Sequence, residues 1–237
     1  MRKSSQNWNP PRHIAIIPDG NRRWSRENKF SLMSSYDLGI KKFIDVSIWA
    51  KELGVNTISV WALSTENLVN RSRMELNTLF KLYNRASRDP QILQTLDKNN
   101  ARVRVVGNTR ALPKYLRDSL KYLENKSKKN DGLSINVLVG YGGKEDILYA
   151  VKRIVESKSR SIKLTYDAIK ENLRTSMLPD IDLIIRTSGE MRLSGLLPWQ
   201  ACYSELYFSK KYWPSFDKND LKRAISSYSE RNRRFGK

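Results

Sequence analysis

The sequence predicts a single α/β domain with a mainly parallel central sheet flanked by helices. Short apolar segments typical of buried strands alternate with longer segments of helical period, and that alternation is typical of a parallel sheet covered on both faces. Because the chain has no linker-like stretch and no internal repeat, we expect residues 1–237 to form one domain. Residues 1–11 are basic and polar, which predicts a flexible segment and not a secretory signal.

The predicted elements of the first half are defined by apolar patterns and by breakers. The apolar run in His13–Pro18 predicts a strand that ends at the proline. Ser35–Leu53 has a broad apolar face and a glycine after it, which predicts a helix. Asn56–Leu63 is rich in β-branched and aromatic residues and predicts a strand. Met74–Leu96 has a long helical pattern, which we expect Pro90 to break or kink.

The second half repeats the alternation of strands and helices. Strands are predicted at Arg102–Val106 and Leu133–Val139, and helices at Pro113–Lys126 and Lys144–Ser157. The remaining predicted elements are a short helix, a short buried strand, a last strand and a polar C-terminal helix, at Thr165–Leu173, Asp182–Ile185, Ser204–Phe208 and Lys218–Arg234.

The composition restricts the chemistry that the chain can perform. Lys and Arg outnumber acids by 44 to 24 and give a net charge of +20, so the surface attracts nucleic acid, phosphorylated small molecules or anionic lipid. One cysteine, Cys202, allows no internal disulfide and suits a reducing cytoplasm, while one histidine, His13, argues against a multi-histidine metal site or a serine–histidine relay. No segment approaches the ~20 apolar residues that span a bilayer.

The first polar cluster follows the first predicted strand. Asp19 can hold a divalent cation through oxygen, and backbone N–H groups near Gly20 and Asn21 can face phosphate oxygens. Arg22 and Arg23 can clamp the same oxygens. The alternative is an ordinary strand-to-helix turn, because Asp, Gly and Asn are common turn residues.

Three further polar clusters follow later strands. They are Ser64–Asn67 with Arg71 and Arg73 behind it, Gly140–Gly143, and Arg186–Ser194. Each alone has a structural explanation as a helix cap, a turn or an ion pair. Because the carboxyl ends of parallel strands share one edge of a sheet, we expect the four clusters to converge. Guanidiniums, hydroxyls and carboxylates in that set suit diphosphate binding with Mg²⁺, and neither a P-loop nor a G-x-G-x-x-G motif is present.

Specific segments at fixed spacing give the chain a family resemblance. They are His13–Trp24, Ser64–Asn67, Tyr141–Gly143, Asp182–Glu190, Arg192–Ser194, Trp199–Gln200, Tyr203–Phe208, Trp213–Pro214 and Arg233–Gly236. Together they resemble the cis-prenyltransferases, the family of undecaprenyl diphosphate synthase and dehydrodolichyl diphosphate synthase. The Arg22-Arg23-Trp24 turn is similar to that of archaeal members.

The resemblance implies a homodimeric, Mg²⁺-dependent enzyme that joins isopentenyl diphosphate to an allylic diphosphate with a new cis double bond. It implies that Asp19 binds Mg²⁺ and assists loss of the allylic diphosphate, and that Glu205 is associated with the metal. The other expected catalytic residues are Asn21, Ser64 and Asn67. Residues expected to bind substrate are Gly20, Arg22, Arg23, Trp24, Tyr36, Arg71, Arg186, Arg192, Ser194, Arg234 and Gly236.

A growing hydrocarbon needs an apolar tunnel, and the buried faces of two predicted helices are candidates for its wall. The residues expected to face inward are Phe43, Trp49, Leu79, Phe80 and Tyr83. For any one of them, simple core packing is the alternative. His13 and Cys202 are interpreted as packing residues.

The chain departs from the family in the segment after the first cluster. Leu32 stands where members carry an arginine, and Ser35-Tyr36 where they carry Gly-His. Arg22 and Arg26 are close enough in sequence to compensate. Two lesser departures are Leu68 for a tryptophan and Gly140 for an asparagine. These changes affect the allylic side and motivate an alternative hypothesis, irregular non-head-to-tail coupling of allylic diphosphates.

Three further interpretations compete with or extend catalysis. A non-catalytic accessory subunit is disfavoured because Asp19 is present. Nucleic-acid binding is prompted by the charge alone, with no recognisable motif, and is not expected. Peripheral contact of a cytoplasmic protein with anionic membrane is compatible with catalysis.

Overall fold

The fold is a six-stranded sheet in which every pair of neighbouring strands is parallel, in the order β3-β4-β2-β1-β5-β6. The computed structural model describes residues 8–157 and 164–231. The strands are β1 (His13–Ile17), β2 (Thr57–Ser64), β3 (Ala101–Val106), β4 (Leu133–Tyr141), β5 (Leu183–Arg186) and β6 (Glu205–Phe208). This confirms the predicted α/β class and every predicted strand.

The helices of the described residues fill the connections between these strands. They are α1 (Asn21–Glu27), α2 (Leu32–Glu52), α3 (Thr65–Asn70), α4 (Arg73–Ala86), α5 (Pro90–Lys98), α6 (Lys114–Lys126), α7 (Gly143–Glu156), α8 (Tyr166–Asn172) and α9 (Lys218–Ser229). Short 3-10 turns occur at Thr109–Ala111 and Trp213–Ser215.

Local sequence accounts for the helix boundaries. The predicted break at Pro90 is confirmed, because α4 ends at Ala86 and the proline occupies the first turn of α5, where its missing N–H is not needed. Asp89 caps α5 by accepting hydrogen bonds from the backbone of its first turn. Ser31 likewise accepts a hydrogen bond from the Ser34 backbone, which explains why α2 begins before the predicted Ser35.

The sheet has a helical layer on each face. On one face, strand residues such as Ile14 and Ile135 pack against α2, α5, α6 and α9. On the other face, residues such as Ala15 and Ile184 pack against Leu178, Leu196 and Leu197. Gln200 donates to Thr175, which in turn donates to Asp146 of α7 at 2.7 Å.

Some sequence expectations lie outside the described residues. These are the flexibility of most of residues 1–11 and the site residues Arg234 and Gly236. The predicted end of the C-terminal helix at Arg234 is wrong, because α9 ends at Ser229 and Glu230 is its C-cap. None of the described helices is long and apolar enough to cross a bilayer.

Candidate functional site

A large cavity opens at the carboxyl edge of the sheet and extends beneath the helical layer of α2, α4, α5 and α6. Its volume is about 880 Å³. Polar residues predicted from the sequence line its mouth: Asp19, Gly20, Asn21, Arg22, Arg23, Tyr36, Ser64, Asn67, Arg71, Arg186, Arg192 and Ser194. The predicted convergence of the first, second and fourth clusters is therefore present in the structure, whereas Gly140, Tyr141 and Gly142 of the third cluster line a separate, smaller pocket.

The wall of the cavity behind its mouth is apolar. Val60, Ile135, Val137 and Val139 contribute from the sheet. Ile135 pairs with Ile58, which pairs with Ile14, three positions before Ile17 at the end of β1. At ~3.3 Å per residue, the cavity reaches roughly 10 Å behind the end of this strand.

The helices provide the opposite wall. Of the inward-facing residues expected from the sequence, Phe43, Leu79 and Tyr83 line the cavity, as do Leu96 and Leu123 at its deep end. Trp49 and Phe80 do not line it and instead pack into the apolar core.

Asp19 and Arg186 form an ion pair at the mouth. Oδ2 of Asp19 lies 2.8 Å from Nη2 of Arg186, whose side chain is 5% exposed. Burial alone raises the pKa of Asp19, but the hydrogen bond and charge of Arg186, the Gly20 N–H and Arg23 outweigh burial and lower it. Asp19 is therefore held as a carboxylate.

Arg186 also organises the loop that follows β5. Its Nη1 donates to the backbone oxygen of Arg192 and, at 3.0 Å, to Ser194 Oγ. Since Nη1 and Nη2 are both engaged by the protein, Arg186 fixes Asp19 and the loop in one arrangement. Its Nε is buried and makes no hydrogen bond within the described residues.

Close backbone packing supports the first cluster. Gly20 has φ +99°, and a Cβ there would meet the Tyr212 ring at 2.6 Å, so only glycine fits. The Gly20 N–H donates to Asp19 Oδ1 at 2.6 Å, so this group supports the carboxylate and is not free for phosphate. Asn21 Nδ2 donates to Pro18 O, while its buried Oδ1 has no partner among the described residues.

A second charged group lies across the mouth from these residues. Glu190 Oε1 lies 3.0 Å from Arg23 Nη1, and the other oxygen of Glu190 contacts Arg192. Arg192 lowers the pKa of Glu190 through its hydrogen bond and charge. Arg23 also donates to Ser188 Oγ. One carboxylate thus bridges two arginines that were both predicted to bind substrate.

Tyr36 and Arg71 meet at the α4 side of the mouth. The Tyr36 hydroxyl donates to Glu75 Oε1 at 2.5 Å and accepts from Arg71 Nη1 at 3.2 Å. Glu75 was not among the predicted site residues. Its position three residues after the helix cap Ser72 and four after Arg71 was the available sequence signal.

The structure separates two predicted residues from the cavity of their own chain. Trp24 packs against Phe30 and donates its Nε1–H to Ser215. Glu205 begins β6 at the level of Leu183, three residues from the level of Arg186, and its carboxylate pairs with Arg231. Arg26, considered as a compensating residue, lies on the cavity wall.

Most of the chain matches one protein family. The Prenyltransf family model, described as that of undecaprenyl diphosphate synthase, matches residues 17–236. The chain belongs to this family. The resemblance to cis-prenyltransferases is thereby confirmed, together with the fold that it implied.

Individual relatives extend this result. A tritrans,polycis-undecaprenyl-diphosphate synthase (geranylgeranyl-diphosphate specific) from Thermoplasma acidophilum is 43% identical over 232 residues, covering 96% of this chain and 89% of the relative. An enzyme of the same name from Sulfurisphaera tokodaii is 41% identical over 231 residues, covering 95% and 88%.

A solved structure shares the fold closely. It is lavandulyl diphosphate synthase from Lavandula x intermedia in complex with dimethylallyl diphosphate, with a TM-score of 0.90 and 33% identity. The match covers 96% of this chain and 99% of that one.

Proposed function

We propose that this cis-prenyltransferase condenses isopentenyl diphosphate with an allylic prenyl diphosphate to give a cis-polyprenyl diphosphate. The observation that carries the proposal is the junction of an arginine-rich mouth with an apolar cavity of about 880 Å³. The mouth suits charged diphosphates, and the cavity suits a hydrocarbon that lengthens away from them. Names of relatives at 41–43% identity support geranylgeranyl diphosphate as the allylic primer.

The reaction breaks the C1–O bond of the allylic diphosphate, forms a bond from C1 to the terminal alkene carbon of isopentenyl diphosphate, and releases one proton. Negative charge develops on the departing diphosphate, and fixed cations stabilise it most when they are already in place. Arg22, Arg23 and Arg26 line the allylic side of the mouth. The released diphosphate oxygens are the natural acceptor for the proton.

Asn21 fits a role in orienting the reactants. Its buried Oδ1 has no hydrogen-bond partner among residues 8–157 and 164–231, and a Cβ at Gly39 would lie only 2.7 Å from it. An amide oxygen held in this way can bind Mg²⁺ or accept a hydrogen bond from a water molecule at the site. Ser64 and Asn67 contribute less directly, because Ser64 Oγ accepts the Asn67 backbone N–H and fixes the start of α3.

The residues at the mouth fit Mg²⁺ bound together with substrate. Within the described residues no cluster of three His, Cys, Asp or Glu side chains forms a metal cage, but Mg²⁺ is usually bound by one or two carboxylates, substrate phosphates and water. Asp19 supplies such a carboxylate, with the Asn21 oxygen nearby in sequence. Bound Mg²⁺ would neutralise charge on the leaving diphosphate. Glu205 is not part of this group in its own chain.

Irregular coupling is the second candidate function. It is favoured by the altered segment containing Leu32, Ser35 and Tyr36. The accessory-subunit alternative has weaker support, because Asp19 is present and ion-paired.

A product assay tests these candidates. The protein and Mg²⁺ are given isopentenyl diphosphate with dimethylallyl, geranyl, farnesyl or geranylgeranyl diphosphate, and each allylic diphosphate alone. We expect cis-extended chains that require isopentenyl diphosphate, with geranylgeranyl diphosphate as the preferred primer. Products from allylic diphosphates alone would establish irregular coupling instead, and no product would favour an accessory subunit.

We also propose that the enzyme is a homodimer. On α7, Leu148, Val151 and Val155 are exposed at helical spacing, and Tyr166 of the adjoining α8 is 84% exposed. Large apolar side chains exposed on neighbouring helices are typical of a protein interface. We call these four residues the α7–α8 patch.

Peripheral contact with anionic membrane in the cytoplasm is the remaining part of the proposal. Residues 73–129 contain 14 Lys or Arg and 5 Asp or Glu. Lys81, Arg88, Lys121 and Lys126 are exposed, and Arg88 and Lys126 both stack on Tyr122. These five residues define the α4–α6 face, and the inner side of the same helices lines the cavity. An apolar product is a reason for contact with a membrane, and it is no reason for contact with nucleic acid.

A further inference from the structure

Three side chains from separate segments form a closed network at the mouth of the cavity. Tyr36 comes from α2, Arg71 follows α3, and Glu75 lies in the first turn of α4. Besides its hydrogen bonds, Arg71 lies with its guanidinium 5.6 Å from the centre of the Tyr36 ring. Its Nη1 is 3.4 Å from Glu75 Oε1, and the Glu75 side chain is 10% exposed. The network is therefore buried and held by several contacts.

The atoms of Arg71 that this network uses are all on one side of the guanidinium. Nη1 makes the contacts with Tyr36 and Glu75. Nε and Nη2 make no hydrogen bond within the described part of the chain, and Nε is buried. The N–H groups of Nε and Nη2 form a parallel pair, which matches two oxygens of one phosphate. Arg71 itself lines the cavity.

Tyr36 has no proton left for a substrate. Its single O–H donates to Glu75, and the oxygen accepts from Arg71. Burial raises the pKa of Tyr36, with Glu75 adding to the effect, so the phenol stays neutral across the working pH range. The sequence led us to expect that Tyr36 binds substrate directly. In the structure its hydroxyl has no hydrogen bond to donate to a diphosphate, so Tyr36 acts on the diphosphate through Arg71.

We propose that Tyr36 and Glu75 are positioning residues, which hold Nη1 of Arg71 so that its Nε–Nη2 edge is presented to the allylic diphosphate. Glu75 also lies 3.9 Å from Arg22 Nη1, so one buried carboxylate balances two guanidiniums of the allylic side before substrate binds. Ser35-Tyr36 stands in place of the family's Gly-His pair, and Tyr36 contributes to diphosphate binding indirectly, through Arg71. This inference rests on the proposed function.

A double-mutant cycle tests the proposal. Binding of geranylgeranyl diphosphate, without isopentenyl diphosphate, is measured by calorimetry for the wild type, Tyr36→Phe, Arg71→Lys and the double variant. Loss of a hydrogen bond to a charged group is expected to weaken binding roughly tenfold in Tyr36→Phe. Lysine has no Nε–Nη2 fork, so the same tyrosine change should have less than a twofold effect in the Arg71→Lys background.

Kinetics and a second variant keep the result interpretable. In Tyr36→Phe we expect KM for the allylic substrate to rise more than kcat falls. Glu75→Gln retains an acceptor for the Tyr36 hydroxyl but not the charge, and its effect should also diminish in the Arg71→Lys background. Tyr115→Phe, an exposed change on α6, is the matched control and should bind as the wild type does.

Two results overturn the inference in distinguishable ways. An equal loss of affinity from Tyr36→Phe in both backgrounds, or no loss in either, would refute positioning through Arg71 while wild-type substrate binding remains intact. Failure of the wild type to bind any allylic diphosphate, together with absence of product, would overturn the proposed function and this inference with it.

Discussion

Oδ2 of Asp19 accepts a hydrogen bond of 2.8 Å from Nη2 of Arg186, and the two residues lie at the ends of adjacent parallel strands. The register of β1 and β5 places Ile17 beside Arg186, so the sheet itself determines the distance between the carboxylate and the guanidinium. Arg186 is held in turn by the loop that carries Arg192 and Ser194. One ion pair therefore connects the two sides of the cavity mouth.

Asp19→Asn is expected to lower kcat/KM by at least a factor of about 100, because the carboxylate that would hold Mg²⁺ beside the leaving diphosphate is lost. The free energy of unfolding should also fall by about 1–3 kcal/mol, because buried Arg186 loses its charged partner. Steady-state kinetics and urea denaturation measure the two effects. Glu171→Gln, an exposed change on α8, is the control. Near-wild-type activity in Asp19→Asn would contradict the assigned role.

The buried ring of His13 is expected to make the free energy of unfolding depend on pH. Its ring is buried between Pro179 O and Ser59 Oγ, and burial lowers its pKa more than the nearby carbonyls and Asp182 raise it. The unfolded chain, with a histidine pKa of about 6.5, therefore takes up a proton first as the pH falls. Stability is complete above that pH and decreases below it, by up to about 1.4 kcal/mol per pH unit.

Urea denaturation between pH 7.5 and 5.5 measures this slope. His13→Gln should reduce it, although the variant is less stable at every pH. Because the sequence contains 1 histidine, its NMR titration gives the folded pKa without ambiguity. A folded pKa at or above 6.5 would show that burial is not dominant.

The deep end of the cavity is expected to limit product length. Val103 lies there on β3, buried among Leu96, Leu123 and Ile135. Val103→Phe should shift the products towards shorter chains, at a stability cost of about 1–3 kcal/mol from overpacking. Mass spectrometry of the dephosphorylated products gives the length distribution. Leu96→Ala removes volume at the same place, so a shift to shorter chains in both variants would mean that destabilisation, not space, is responsible.

The oligomeric state depends on the α7–α8 patch in our proposal. Val155→Glu places a charge on a side chain that is 77% exposed, so the isolated monomer should fold normally while association weakens by at least tenfold. Sedimentation velocity over a concentration series measures this. Glu156→Lys, an exposed change next to it, controls for altered surface charge. A wild type that remains monomeric at micromolar concentrations would refute the dimer.

Local patterns explain which parts of the site could be predicted. Asp19 and Arg186 follow short apolar runs, and the rule that parallel strands end at one edge is sufficient to bring them together. Trp24 and Glu205 were misplaced for different reasons. The direction of the Trp24 side chain depends on Phe30 and Ser215, and Glu205 begins its strand instead of ending it.

Glu75 shows a further limit of sequence reasoning. Its contact with Tyr36 joins residues that are 39 positions apart, and it depends on how α2 and α4 pack. A helix-capping pattern alone predicts that Glu75 folds back on its own helix terminus. Only the three-dimensional structure shows that the carboxylate serves a different helix.

The α4–α6 face should bind anionic bilayers. Each Lys or Arg near such a surface contributes about 1 kcal/mol, so Lys121→Glu/Lys126→Glu should weaken binding to phosphatidylglycerol vesicles by roughly two orders of magnitude or more. Vesicle co-sedimentation measures this, with phosphatidylcholine vesicles as the neutral reference. The matched control is Lys210→Glu/Lys222→Glu at the β6 end of the sheet, because α6 contacts the opposite edge strand, β3. Equal loss in both variants would mean that net charge alone is responsible. A preference for duplex DNA over vesicles at physiological salt would instead favour a nucleic-acid partner. In that case the apolar cavity beneath the face would be unrelated to the molecule that binds on the face.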